Sequence, residues 1–528
     1  MGGEEPAEME NLREHPEIIN PYRLAGKGFG DKAFVRDLGL DALLESVPFY
    51  STDARDLAKS VMVDMATDMN TVQYRQEALH DLVSDKNLLG DVQKCIRSLN
   101  ELEYRLVGFN DNSNLTNGLL LFKDYRNFVQ NTPALGGAKS RALKEVDSYL
   151  RSMRASEEFS GLCSFIQRIG SLGGVVFKVS LDKDGSPLRM SALELVDKDP
   201  EDKSGVLAFF ARLLRKRKFE ESLISGARLN EAGRVIQGFI DRQFLPIIQA
   251  YLDQINEVTE LLEPLAFYAG FAEYFVTLKE QGFDVCSPTL LPVEERRMTV
   301  RNARNPLLVK DGKDGHRIVP NDISYTPAQN MFVITGPNNG GKTTYAMTVG
   351  LMQLMSQKGL FVPAESAEAS FVDGIYTHFV APDDITKGEG RYRNELIRVK
   401  EIFEAATPYS LVILDEPCGG TSYEEGYRQS LVVLDGLHKL GPATYLTTHM
   451  HLVAKEVDGG RYPAAKNLSP ECIYDGKKMK YTYRVRTGAS GKSYGEEIAR
   501  EIGLMPEDIS RIVSEKAEKQ GYRDITRG

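Results

Sequence analysis

Two textures divide the 528-residue chain near Val300. Before that point apolar positions recur at helical spacing. In ARLNEAGRVIQGFIDRQFLPIIQAYLDQINEVTELLEPLAFYAGFAEYFVTLKE, Ile248, Leu252, Ile255 and Leu262 fall at three- to four-residue intervals or multiples of them. That spacing predicts one apolar stripe on a long helix, with Pro246 and Pro264 marking kinks or breaks. Stripes of the same kind run through DARDLAKSVMVDMA and ALKEVDSYLRSMR. Between the helices, VVFKVSLDKDGSPLRMSALELV alternates apolar and polar residues about Asp184-Gly185, which predicts a β-hairpin.

After Val300, strand and helix patterns alternate. MFVIT, YSLVILDEP and ATYLTTH read as strands, each ending at polar residues, with helical segments between them. Such alternation predicts a mainly parallel sheet wrapped by helices, with its functional residues at the carboxyl ends of the strands. Near the end, CIYDGKKMKYTYRVR predicts a hairpin turning at Asp475-Gly476, followed by helices in SYGEEIAREIG and PEDISRIVSEKAEKQ. The acidic, polar stretch from Met1 to about Pro21 reads as a loosely docked or disordered tail. No internal repeat is evident.

Composition narrows the function classes. Hydrophobic residues are 42% and charged residues 27%, ordinary for globular domains, and the net charge of −10 provides no global basic field toward nucleic acid or anionic membrane. Contact with DNA would need a local basic patch. The five cysteines lie far apart with no C-x-x-C pair, which argues for reduced thiols in a cytoplasmic setting and against zinc. No apolar run approaches the roughly 20 residues of a membrane span, and the N-terminus carries no signal-peptide core.

The candidate chemistry begins in ITGPNNGGKTTYAM. Gly336, Gly341, Lys342 and Thr343 fit G-x-x-x-x-G-K-[ST], the phosphate-cradling P-loop, and Pro337, Asn338, Asn339, Gly340 and Thr344 complete the loop. A strand precedes it and an amphipathic helix follows, the context in which backbone N–H groups and a helix N-terminus hold phosphate oxygens. Lys342 would reach the β- and γ-phosphates of ATP, and the Thr343 hydroxyl would ligate Mg²⁺. In LVILDE, Asp415 would hold Mg²⁺ through water and Glu416 would polarise the attacking water. His449, ending ATYLTTH, stands where a γ-phosphate sensor belongs.

Five ordered motifs then make the chain specific. TGPNNGGKTTY, GLFVPAESAE, LVILDEPCGGTS, TTHMHL and GKSYGEEIA resemble the ATPase domain of the MutS family, whose pattern runs TGPNMGGKST, FVPAE, DE-x-x-x-GTS, THY and SYG-x-x-VA. RNPLLV and VPND resemble that family's RHP and adenine-side loop, which implies a nucleotide-binding role for Asn321. A weaker likeness, in DLGLDALLE and VQYRQEALHDL, points to the start of the family's helical core or lever region. The resemblance implies an α/β P-loop NTPase domain of ABC type, MutS-like, over residues 300–528 with C-terminal dimerisation helices. It would follow a mainly α-helical core/lever region over 31–299 and a flexible tail over 1–30.

The departures from that pattern are informative. Asn339 replaces Met, Asn305 replaces the His of RHP, and Gly419 stands where GRGTS has Arg. GEGRYRNEL occupies the place of STFMVEM, the loop that crosses the dimer to the opposite nucleotide. Tyr392 and Glu395 align, the expected serine falls on Gly390, and Arg391 could serve as a cationic finger instead. The core-like segment starts near Phe34, which leaves no room before it for a mismatch-reading domain, and Phe219-Glu220-Glu221 is a chance match to F-x-E. For nucleic acid the best local candidate is RLLRKRK, with Arg212, Arg215, Lys216, Arg217 and Lys218 in the lever region. Two functions remain open: a homodimeric, ATP-gated clamp on DNA, or an ATPase switch whose levers grip a protein or RNA assembly.

Overall fold

The computed structural model describes residues 33–64, 69–111, 113–184, 187–197, 245–311, 318–379, 390–474, 479–490 and 495–520. By their contacts these fall into two compact units. The first comprises Phe49–Ala54 and the described part of Asp81–Ala269; the second, the described parts of Tyr22–Pro48, Arg55–His80 and Gly270–Gly528.

The first unit is helical. Helices Lys86–Asp111, Leu115–Asn131, Arg141–Ala155 and Glu157–Ser171 are joined by a two-stranded antiparallel ribbon, β1 (Leu172–Leu181) and β2 (Pro187–Asp197), in which Leu181 pairs with Pro187. The Asp182 side chain accepts the Asp184 N–H at 2.9 Å where the chain leaves β1; Gly185, the other half of the predicted turn, lies outside the described residues. Of the predicted stripe, Ile248, Ile255 and Leu262 are buried, while Leu252 is half-buried. Ile248 lies so close to Gly118 that a Cβ there would come within 2.2 Å of its Cδ1. The stripe is not one helix. The helix at 245–259 ends, Leu261 N–H reaching back to Val258 O at 3.1 Å, and Leu262–Glu280 begins anew. Pro264 sits in its first turn, where a missing N–H leaves no bond unmade.

The second unit holds two sheets. Strands β3 (Thr289–Leu291), β4 (Met298–Ala303), β5 (Asn321–Tyr325) and β7 (Ser366–Ser370) form one, in the order β3-β7-β4-β5. Strands β6 (Met331–Thr335), β8 (Ile375–His378), β9 (Leu411–Asp415), β10 (Ala443–Thr448), β11 (Ala465–Tyr474) and β12 (Met479–Thr487) form the other, in the order β12-β11-β6-β10-β9-β8. All its pairings are parallel except β11–β12, so the expected mainly parallel sheet and closing hairpin are both present. The four-stranded sheet was not expected, and a domain boundary at Val300 would cut through β4.

Alternation along the strands sets the layers. Val412 and Leu414 of β9 join Leu446 of β10 in a cluster with Val399, Ile402, Val433, Leu437 and Val453, so helices Arg391–Ala405, Tyr423–Leu440 and His451–Asp458 cover that face. Ile413 points the other way, toward helix Lys342–Gln357. There a Cβ on Gly350 would come within 2.9 Å of Ile413 Cδ1 and 2.6 Å of Leu38 Cδ2. This close approach explains why the segment around Leu38 belongs with the second unit and not with the helical region in which the sequence reading placed it. Asp37 adds polar anchoring by accepting the Thr377 hydroxyl at 2.8 Å and the Phe379 N–H at 3.3 Å. At the far end of the helix, Gly359 (φ +75°) lets the backbone of Val72 approach, and Arg75 donates to Lys358 O at 3.3 Å. Buried Gln353 and Gln357 fasten the helix to β7 through Ser370 O at 2.8 Å and Val372 O at 2.7 Å. No helix among the described residues is long and apolar enough to cross a membrane.

Candidate nucleotide site

β6 is buried throughout and delivers the chain into the glycine loop at the carboxyl end of the sheet. Gly336 and Gly341 have φ of +154° and +93°, and Gly341 caps the helix that starts at Lys342. Asn339 also lies at positive φ, +63°, a conformation asparagine adopts more readily than most side chains. Two glycines also sit tightly against β11. A Cβ on Gly336 would meet Pro470 Cδ at 3.0 Å, and one on Gly340 would meet Pro470 Cγ at 3.2 Å. Proline is tolerated at this place in β11 because pairing with β6 ends at Leu468–Ile334, two residues earlier.

The Lys342 ammonium donates to Gly336 O at 3.0 Å and Pro337 O at 3.2 Å. Burial lowers its proton affinity, and the nearby Glu416 and Asp415 carboxylates work against that. Thr343 Oγ1 lies 3.0 Å from both Asp415 oxygens, and the Thr447 hydroxyl donates to Asp415 as well. Burial pushes the Asp415 carboxyl above its ordinary range, offset by the hydrogen bonds from Thr447 and Thr343. Glu416 follows at φ +51°, a strained conformation for a side-chain-bearing residue, of order 1–3 kcal/mol. Its N–H is held by Thr447 O at 3.1 Å, and its carbonyl accepts Gly419 N–H at 3.1 Å. His449 Nδ1 stands 3.6 Å from Glu416 Oε2, and that carboxylate raises the imidazole pKa.

Of these groups, Lys342, Thr343, Asp415 and Glu416 line a cleft of about 1230 Å³. Asn338, Asn339, Thr344 and Tyr345 line it too, as do Leu308, Val319, Asn321 and Tyr483. Tyr483 is half-exposed at φ +59°, and a Cβ on Gly341 would lie 3.4 Å from its ring. Hard oxygens from Thr343 and Asp415 beside a glycine loop with a lysine form a donor set that fits Mg²⁺ and phosphate.

Residues 332–520 match the family model for MutS domain V. The C-terminal part of the chain is thus similar to MutS domain V. DNA mismatch repair protein MutS of Chlorobium limicola is 30% identical over 296 residues, covering 56% of this chain and 33% of that protein. The one of Caldicellulosiruptor bescii is 34% identical over 235 residues, covering 44% and 27%. A longer match, to the MutS of Chlorobium phaeovibrioides, is 27% identical over 484 residues, covering 83% and 54%. The chain therefore spans between about a quarter and about half of these MutS relatives.

Several residues singled out in the sequence do different work in this MutS-like unit. Asn321 lines the cleft, yet its amide is committed to the backbone of β12, donating to Tyr483 O at 3.0 Å and accepting Val485 N–H at 2.7 Å. Glu395 turns inward, 4% exposed, where its carboxylate accepts Gly420 N–H at 3.1 Å. A buried carboxylate needs such a donor, so Glu395 braces the GGTS loop of its own chain instead of reaching out with Tyr392. Arg391 opens helix Arg391–Ala405, but its side chain lies outside the described residues, as do Arg212, Arg215, Lys216, Arg217 and Lys218. Asn305, in place of the family's His, is buried and caps its own turn through Leu307 N–H at 2.8 Å while donating to Thr344 O at 3.2 Å. Sequence reasoning missed Thr447, Tyr483 and Pro470. Alternation in ATYLTT and its register against β9 could have indicated Thr447, which pairs with Asp415. Nothing local announces the other two.

Proposed function

We propose that the chain hydrolyses ATP in a MutS-type, ABC-type P-loop site and uses the cycle to open and close a homodimeric clamp on DNA. The observation that carries the ATPase reading is the convergence of Lys342, Thr343, Asp415, Glu416 and His449 at one end of one sheet, with Thr343 3.0 Å from Asp415 and His449 3.6 Å from Glu416. Lys342 would exchange the carbonyls of its own loop for phosphate oxygens. Thr343 and Asp415 would hold Mg²⁺, which when bound neutralises charge on those oxygens. Glu416, fixed at a strained backbone angle, would orient and deprotonate the attacking water, and His449 would sense the terminal phosphate. Tyr483 would form a wall against the base.

Dimer formation is supported by the C-terminal segment holding helices Gly495–Glu501 and Pro506–Gln520, which exposes Ile498, Ile502, Ile509, Ile512 and Val513. The DNA reading rests on the MutS relatives and on the basic run Arg212–Lys218, and it makes contact phosphate-led. One experiment tests both parts. The full-length Glu416→Gln protein should bind ATP and turn it over at least about 100-fold more slowly. With ATP it should hold duplex DNA in a complex that weakens steeply with salt and scarcely distinguishes a mismatch. Wild-type turnover in Glu416→Gln removes the role given to Glu416. A tenfold preference for a mismatch overturns phosphate-led contact, and no binding at low salt overturns DNA as the partner.

A further inference from the structure

Asn321 and Tyr483 are 162 residues apart in sequence and joined in space by more than proximity. β12 is an edge strand, and its pairing with β11 slips between Pro470–Val485 and Cys472–Tyr481. Thr482, Tyr483 and Arg484 therefore lie opposite Glu471 alone. The bulge puts Tyr483 at φ +59°, which an ordinary side chain rarely adopts unless its surroundings hold it there. Thr482 is tethered on the β11 side, its hydroxyl donating to Glu471 O at 3.0 Å. On the other side, Asn321 spans the bulge, donating to Tyr483 O at 3.0 Å and accepting Val485 N–H at 2.7 Å. Its third contact, to Val319 O at 3.4 Å, ties the same amide to its own strand's entry. With both ends of that amide engaged by backbone, the side chain is occupied holding β12.

We infer that Asn321 is a positioning residue that staples the β12 bulge so that the Tyr483 ring stands over Gly341 as the base-facing wall of the nucleotide cleft. This deepens the ATP reading above and rests on it. Asparagine suits the task because it donates and accepts across two residues of an extended strand, as a neighbouring strand would. A ring held in place before the nucleotide arrives spares the ordering cost that a mobile one would incur.

A double-mutant cycle on the full-length protein tests the inference, with Asn321→Ala, Tyr483→Ala and the double variant. The probes are ATP and inorganic tripolyphosphate, each with Mg²⁺, measured by equilibrium binding. Losing a stacked aromatic should weaken ATP about tenfold in Tyr483→Ala. Asn321→Ala should weaken ATP several-fold, and the double variant should be no weaker than Tyr483→Ala alone. Tripolyphosphate should bind all of them within about twofold of wild type, because it lacks a base. Asn321→Asp keeps the acceptor for Val485 N–H and loses the donor to Tyr483 O. It should fall between wild type and Asn321→Ala, and it serves if the alanine variant does not fold. Independent, multiplying losses in the double variant would mean that Asn321 touches the nucleotide itself and would overturn the staple. Unchanged ATP binding in both Asn321 variants would do the same. Failure of the unmodified chain to bind either probe would sink the ATPase reading and this inference with it.

Discussion

Replacing Thr447 by Val tests whether the Mg²⁺-side carboxylate is organised from beneath by the neighbouring strand. Thr447 is fully buried in β10, in register with Asp415, and its hydroxyl donates to that carboxylate. Valine keeps the β-branched shape and the strand preference but removes the donor. A hydrogen bond to a charged group contributes about 1.5–3 kcal/mol, and we take the lower end because Thr343 continues to donate to Asp415. The Asp415 carboxyl is already pushed up by burial and restrained by these two hydroxyls, so removing one moves it further up. The sign follows. A carboxyl raised on folding favours the protonated native state, so its cost to stability is absent below the ordinary carboxylate range and grows as pH rises through the folded value. Thr447→Val should therefore lower the urea midpoint at pH 8 by the equivalent of about 1.5 kcal/mol, and by less at pH 5. The acid limb of the Mg²⁺-dependent ATPase profile should move to higher pH. An unchanged midpoint at pH 8 together with an unmoved acid limb would refute the reasoning.

Two further outcomes are expected. The Glu416 carboxylate raises the His449 pKa, so an NMR titration should show the imidazole holding its proton above the ordinary histidine range, and Glu416→Gln should return it toward that range. The small stabilisation from this half-exposed pair should be present at acid pH and fade as pH rises through the raised value; a titration indifferent to Glu416→Gln would dissolve the pairing. Ile502→Asp with Ile512→Asp, exposed in the C-terminal helical segment, should turn a sedimenting dimer into a monomer without unfolding it, and a wild-type protein that is monomeric with and without ATP would count against the homodimer proposed above.

The glycine loop, Asp415 and Glu416 were legible because their chemistry is encoded at fixed spacing beside a buried strand. MFVIT, LVILD and ATYLTT were legible because parallel central strands are buried on both faces and read as apolar runs. What escaped depends on register between distant segments. β3 is only three residues long, too short for any periodicity, and it finds its partner β7 far along the chain. The stripe through Leu252 was read as one long helix with kinks or breaks at Pro246 and Pro264; apolar spacing continues across the actual interruption at 260–261, so its place is set by hydrogen bonding, with Pro264 in the first turn of the next helix. The bulge that exposes Tyr483 is invisible in YTYRVR, since one slipped pair changes which face a side chain takes without changing its identity. Glu395 was misread for a related reason. A carboxylate's spacing does not say whether it meets solvent or a backbone N–H folded back from residue 420.

The β11–β12 ribbon brings these threads to one place. Pro470, on β11, packs closely against Gly336 and Gly340 of the glycine loop. Tyr483, on β12, walls the cleft above Gly341. Ser490, just past the end of β12, donates its N–H to the Thr335 hydroxyl at 3.1 Å, returning the chain to the strand that launches the loop. The Met479 N–H is accepted by Glu501 of helix Gly495–Glu501 at 2.9 Å, so the same ribbon is tied to the helices whose apolar faces are exposed. A packed ribbon transmits displacement because close-packed interiors have little slack. The glycine loop, the cleft-lining Tyr483 and the terminal helices thus share one two-stranded element, and under the proposed function nucleotide occupancy and association through those helices would act on the same few hydrogen bonds.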